Sequence, residues 1–254
     1  MIYISKNGFD NETQILEALD GKRVCDLNKN LTEFLKFLCS GSCSEEDIIM
    51  CRKEGGANKS DLIVRIGSRR PVRVSVKKGR ANSVHQEPLD EFIAYIRKEF
   101  NASEQLCNDI RGFIWGNGTL NGTGEKEDRE GVSELKRSMP NSIRRIRIFL
   151  KEHKRNLVER FLVVGLKSSR TPDIIYYGDP NDGLWAWFDE VLDFLCHERN
   201  EARRAALPVG GLTLQAWGRA NSEGSGSDRN RGVVQSKWPS LKNHLKEIMR
   251  NKSS

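Results

Sequence analysis

The sequence predicts an α/β protein with a mixed central β-sheet flanked by helices. Three observations lead there. Apolar residues recur at helical spacing along the N-terminal region. The period then drops to two between Asp61 and Lys77. Beyond that point, helix-like and strand-like segments alternate toward the C-terminus.

Asn11 to Asp20 has a polar start followed by Ile15, Leu16 and Leu19, which share one helical face. Leu31 to Cys39 repeats the pattern with Leu31, Phe34, Leu35 and Leu38. Ser44 to Cys51 reads as a third helix, with Ser44 as N-cap and acids in the first turn. Asp61-Leu62-Ile63-Val64-Arg65-Ile66 is a short β-prone run, and Gly67-Ser68-Arg69-Arg70-Pro71 is a turn. Val72 to Lys77 alternates apolar with polar, which completes a hairpin. Leu89 to Phe100 reads as a helix carrying Phe92, Ile93 and Ile96. Gly116 to Gly124, rich in Gly and Asn, is a loop. Met139 to Leu157 is a basic helix with Ile143, Ile146, Phe149 and Leu150 inside. Arg160 to Leu166 and Asp173 to Tyr177 read as strands, and Trp185 to His197 as a helix. Leu212 to Trp217 and Gly232 to Trp238 are strands separated by a Gly/Ser/Asn/Arg loop, and Leu241 to Arg250 is a final basic helix. No internal repeat is visible.

The bulk numbers bound the function. The chain has 254 residues and is 37% hydrophobic, enough for a packed core. No run of about 18 apolar residues exists, so a membrane span is excluded. Met1 to Asn7 lacks a basic start before a long apolar run, so no secretory signal is expected. The net charge of +7 favours polyanionic partners, although charge alone does not select nucleic acid. Six cysteines lack paired CxxC spacing, and no fourth ligand stands near Cys39, Cys43 and Cys51. Reduced thiols in a cytoplasmic protein follow. The five tryptophans show no spacing suited to stacking single-stranded bases.

The hairpin carries the chemistry. A turn about Arg69 sets Asp61 opposite Lys77. Ser75 and Lys77 share a strand face, and cross-strand partners share it too. Asp61, Ser75 and Lys77 therefore cluster. Such a carboxylate can hold a magnesium ion that polarises a scissile phosphate. The lysine can orient the attacking water and offset charge at phosphorus. The same spacing also fits a surface ion pair across a hairpin, which contributes little; spacing alone leaves both open.

Gly55-Gly56-Ala57-Asn58-Lys59-Ser60-Asp61, followed by Val74-Ser75-Val76-Lys77-Lys78, resembles the active-site hairpin of type II restriction endonucleases of the PD-(D/E)xK nuclease superfamily. Within it, the MspI-like group of four-base cutters carries a Gly-Gly lead-in, a Ser/Thr-Asp pair and an Asn/Gln-x-Lys triplet. Gly55-Gly56, Ser60-Asp61 and Ser75-Val76-Lys77 match these in turn. The similarity runs from Gly55 to Phe92. A fainter likeness spans Gln215 to Leu241, with Gly218-Arg219, a basic loop and Gln235-Ser236-Lys237-Trp238. Gly8-Phe9-Asp10-Asn11-Glu12 is similar to the helix start that offers an acid to the active site.

The resemblance implies a restriction-endonuclease-like core and one nuclease domain over 1–254. Its catalytic core would lie at about 8–100, and its DNA-reading C-terminal strands and loop at about 205–254. It implies Asp61 as metal ligand, Lys77 as water-orienting base, and the Val76 carbonyl completing a Mg2+ site with Asp61 and waters. Ser75 departs from the pattern: the superfamily places Asp or Glu there, and the MspI-like group Asn or Gln. A hydroxyl is a poorer magnesium ligand than a carboxylate, so Glu12 or Glu87 becomes a candidate second acid.

Arg65, Arg69, Arg70, Arg73, Lys77, Lys78 and Arg80 surround this hairpin, which suits phosphate contact. The run Arg144, Arg145, Arg147, Lys151, Lys154 and Arg155 reads instead as a solvated helix face. The resemblance places the stretch just after the catalytic strand next to the groove, which makes Ser83 a candidate DNA-binding residue and Gln86 and Glu87 candidate base contacts. So are Arg219, Asn221, Arg229 and Arg231 in the late loop. His85 reads as an exposed or phosphate-binding loop histidine, and His153, His197 and His244 are assigned no role.

The expected activity is magnesium-dependent cleavage of double-stranded DNA at a short specific sequence by a type II restriction endonuclease. A cognate DNA methyltransferase would be its functional partner. The protein is expected in a prokaryotic cytoplasm, off the membrane, as a monomer or homodimer. The alternatives are a structure-specific repair or recombination nuclease of the same superfamily, or a catalytically weak DNA-binding protein on the same scaffold.

Overall fold

In the computed structural model of the chain, the described residues are 6–55, 59–79, 83–125, 128–166, 170–202, 206–217 and 231–252. They form, in chain order, α1 (Lys6–Leu19), α2 (Lys29–Leu38), β1 (Ile49–Lys53), β2 (Leu62–Ile66), β3 (Val72–Lys77), β4 (Ser83–Pro88) and α3 (Leu89–Phe100). There follow α4 (Glu104–Trp115), α5 (Val132–Ser138), α6 (Pro140–Glu152), α7 (Lys154–Glu159), β5 (Ile174–Asp179) and β6 (Asp182–Trp187). The chain ends with α8 (Phe188–Cys196), β7 (Leu207–Val209), β8 (Leu212–Ala216), β9 (Val233–Lys237) and α9 (Leu241–Lys252). Contacts divide the chain into two compact units. One comprises Met1–Asn82, Leu162–Phe194 and Ser240–Ser254; the other comprises Ser83–Phe161 and Leu195–Pro239. Among the described residues, no helix is long and apolar enough to cross a membrane.

The first unit holds a five-stranded sheet in the order β1-β2-β3-β5-β6. It is mixed: β3 and β5 run parallel, and the other neighbours are antiparallel. Its core joins Ile15 and Leu19 of α1 and Leu31, Phe34 and Leu35 of α2 to Leu62, Val64, Val74, Val76 and Ile174 of the strands. Phe34 anchors this layer, edge-on to Tyr176 at 4.9 Å and tilted against Trp185 at 5.3 Å, a geometry that ring quadrupoles favour. Asn28 begins α2: its side chain accepts from Leu31 N at 2.9 Å and donates to the Pro180 carbonyl at 3.0 Å. Asn28→Ala should therefore lower stability by about 1–2 kcal/mol, read as a shifted urea midpoint.

The second unit holds an antiparallel sheet in the order β4-β9-β8-β7. Leu212, Leu214 and Ala216 are buried on one side of β8, in alternation with Thr213 and Gln215. Buried residues of α3 (Phe92, Ile93, Ile96), α4 (Ile110, Phe113, Ile114) and α6 (Ile143, Ile146, Phe149) supply the rest of this core.

Four sequence expectations are corrected. Ser44 to Cys51 is not a helix, because Ile49 and Cys51 are buried while Ile48 and Met50 are 57% and 52% exposed. That is a strand period, and β1 pairs antiparallel with β2. Ser44 instead opens a tight turn, its N–H donating to Asp47 at 2.8 Å. Arg160 to Leu166 is not a strand: a π-helical turn covers Arg160–Val164, burying Phe161, Leu162 and Val163 together. A short apolar run carries no period that separates the two. Trp185 to Trp187 belongs to β6, paired with β5, and α8 starts at Phe188. Ser83 to Glu87 lies in a strand rather than a loop.

Candidate active site

The hairpin of β2 and β3 forms, but its register differs from the expected one. Leu62 lies opposite Val74, where a turn about Arg69 would give Val76. The reason is local. Gly67 adopts φ +53, and Arg69 N donates to Ile66 O at 3.1 Å, so the chain reverses closer to Ile66. The shift is two residues, which preserves which face each side chain occupies. The expected convergence of Asp61, Ser75 and Lys77 therefore survives a wrong pairing.

Asp61 precedes β2 and is fixed by its backbone. Its N–H donates to Val74 O at 2.9 Å, and its carbonyl accepts from Glu54 N at 3.0 Å. Three donors meet its Oδ2: Val76 N at 2.6 Å, Ser75 Oγ at 3.3 Å and Lys77 Nζ at 3.3 Å. Lys77 Nζ also donates to the Val76 carbonyl at 2.9 Å. One ammonium thus bridges the two oxygens proposed from the sequence as metal ligands. Ser75 is buried and serves Asp61 as a hydrogen-bond donor, whereas Asp61 and Lys77 keep partial access to solvent.

Glu12, half-buried on α1, joins this neighbourhood. Burial and then the charge of Asp61 raise its carboxyl above the ordinary range, against the opposing pull of Lys77 and Lys53. Among the described residues no three His, Cys, Asp or Glu side chains form a metal-holding group. Any cation here would draw on carboxylate, main-chain carbonyl and water oxygens together, the donor set magnesium accepts.

Glu54 was missed from the sequence. Its side chain is almost fully buried and accepts from Ser60 Oγ, from Arg73 Nε at 3.4 Å and from Arg170 Nη1 at 3.4 Å. Together with its backbone bond to Asp61, it holds Ser60 and Asp61 against the end of β1. The one cue was an acid placed next to the Gly55-Gly56 pair.

The remaining candidates are placed as follows. Lys78 is half-exposed, with Asp179 at 3.8 Å, a pair too loose and wet to fix its position. Ser83 and Gln86 lie half-buried on β4, with Gln86 Nε2 donating to Ser83 Oγ at 3.1 Å. Glu87 is buried and chelated by Arg160 through Nη2 at 2.6 Å and Nε at 3.2 Å. His85 is buried as well, its Nε2 at 2.9 Å from Glu87, which corrects the expectation of an exposed histidine. In this conformation neither Glu87 nor His85 reaches solvent. Arg231 donates to the Gly124 carbonyl at 3.0 Å within the second unit. In the basic run, Arg145 holds Asp109 at 2.7 and 2.9 Å while Arg144 is exposed. Arg80, Arg219, Asn221 and Arg229 lie outside the described residues.

The mixed five-stranded sheet flanked by helices is a restriction-endonuclease-type α/β fold. Among solved structures, the chain is similar to the restriction endonuclease MspI in complex with its cognate DNA. The match covers 93% of each chain with a TM-score of 0.57 and 15% sequence identity. No protein-family model and no curated protein matches this sequence.

Proposed function

We propose that this chain is a type II restriction endonuclease, hydrolysing double-stranded DNA at a short specific sequence with magnesium as cofactor. The observation that carries the reading is Lys77 Nζ lodged between Asp61 Oδ2 at 3.3 Å and Val76 O at 2.9 Å. Two oxygens already converge on a positive charge, so the donor geometry fits a cation. The structural neighbour was solved on its cognate DNA, and a net charge of +7 suits the same substrate class.

Asp61 and the Val76 carbonyl would hold the ion, with Glu12 as a further acid. Bound magnesium supplies Lewis-acid polarisation of the scissile phosphate and lowers the pKa of a coordinated water. Lys77 Nζ carries three donors on a flexible stem. One can orient the attacking water while the charge offsets what builds up on the phosphoryl oxygens. Ser75 and Val76 N hold Asp61 in place through Oδ2. A cognate DNA methyltransferase protecting the same sequence would be the functional partner.

Ser75 favours a second reading, a DNA-binding protein of weak activity, because a hydroxyl stands where a stronger ligand is expected. One digest separates them. Incubating the protein with a sequenced unmethylated plasmid and magnesium should yield discrete fragments whose mapped ends share one short sequence. Binding without cutting would support the second reading, and nicking confined to branched DNA would support a structure-specific nuclease.

A further inference from the structure

The second unit carries a polar row that sequence reading did not assemble. In the sheet β4-β9-β8, Gln86 lies opposite Gln235, and Gln235 lies opposite Gln215. Three amides from three adjacent strands thus share one face, the face opposite buried Leu214 and Ala216. They are hydrogen-bonded in a fixed order. Gln215 Nε2 donates to Gln235 Oε1 at 2.9 Å, and Gln235 Nε2 donates to Ser83 Oγ at 3.0 Å. Gln86 Nε2 donates to the same Ser83 Oγ at 3.1 Å.

The order decides what remains for a ligand. Gln235 is buried and uses both ends of its amide inside the row, so it is a positioning residue. Turning it over would set its N–H against that of Gln215. Gln86 and Gln215, half-buried at the two ends, each spend one N–H on the row. Each keeps a second N–H and a carbonyl oxygen outside the row, on an amide the row holds in place. A paired donor and acceptor of this shape matches the N7 acceptor and N6 amino donor of adenine in the major groove. Orientation ahead of binding reduces the rotamer entropy lost on contact. Adjacent strands lie roughly 4.8 Å apart, so the two outer amides are roughly 10 Å apart. That is about three base-pair steps at roughly 3.4 Å, within one short site.

We propose that this sheet face reads DNA bases and that the recognition sequence contains A·T pairs contacted by Gln86 and Gln215, with Gln235 setting their orientation. The proposal rests on the DNA-binding part of the nuclease reading, and the test keeps the two apart. The full chain, with calcium replacing magnesium, would select bound duplexes from a randomised pool, alongside Gln86→Leu and Gln215→Leu. The enriched sequence should contain A·T pairs. Each variant should lose roughly tenfold to a hundredfold discrimination at one of them, with an unchanged salt slope on unrelated duplex. An enriched sequence of G·C pairs alone, identical preferences in both variants, or no enrichment would overturn the proposal. Cleavage of plasmid by the same preparations with magnesium is scored separately. Cutting without adenine preference would sink this inference and leave the nuclease reading standing; enrichment without cutting would do the reverse.

Discussion

Asp61→Ala is expected to reduce magnesium-dependent cleavage by at least about a thousandfold while duplex binding persists. The carboxylate has two duties that the variant removes together. It accepts from Ser75, Val76 and Lys77 through one oxygen, and it is the acid next to the strand that carries Lys77. Without it, the Lys77 ammonium keeps only the Val76 carbonyl, and the proposed metal loses its charged ligand. Asp61→Asn separates the duties, because an amide oxygen can still accept from Val76 N but brings no charge. A loss as large in Asp61→Asn would trace the defect to charge, whereas partial recovery would trace it to the geometry of β3. Single-turnover cleavage of a labelled duplex with magnesium, beside anisotropy binding in calcium, measures both. Cleavage retained in Asp61→Ala would remove Asp61 from the active site.

How much of this was legible beforehand depends on whether a local signal survived folding. The helix from Leu89 to Phe100 forms with the predicted bounds, because its apolar stripe and acidic first turn act within the segment. The trio Asp61, Ser75 and Lys77 was recoverable because strand alternation tolerates a two-residue slip. Ser44 to Cys51 failed for the opposite reason. A plausible cap outranked a four-residue alternation whose meaning comes only from pairing with β2. Glu54 and the Gln86–Gln235–Gln215 row were out of reach on different grounds. Glu54 matters through Arg73 and Arg170, far along the chain, and the glutamines become neighbours only through the order β4-β9-β8. Long-range pairing of this kind leaves no periodic trace in a single sequence.

The same contrast makes Glu87 a decisive residue. From its place after β3 it was a candidate base contact, yet it is 1% exposed, bonded to Arg160 and 2.9 Å from His85 Nε2. Arg160 is itself covered, with its guanidinium 3.7 Å from the centre of the Tyr95 ring. Removing one partner of a buried pair leaves the other charge uncompensated, which costs about 3–5 kcal/mol. Glu87→Ala should therefore lower the melting temperature by roughly 6–20 °C in a chain of this size. The pH dependence follows from the direction of its shift. Burial pushes the Glu87 carboxyl up, but the bonds from His85 and Arg160 outweigh burial and hold it below its ordinary value of 4.5. A carboxylate depressed in the folded state contributes stability above the unfolded value and loses it as pH falls through the folded one. Thermal melts of the parent protein should thus weaken below pH 4.5, and Glu87→Gln should flatten that part of the profile. If Glu87→Ala instead altered the bases selected from a randomised pool while melting as the parent does, the side chain would have to leave Arg160 for DNA. A carboxylate held at 2.6 Å by Arg160 and shielded from water has no reason to do so.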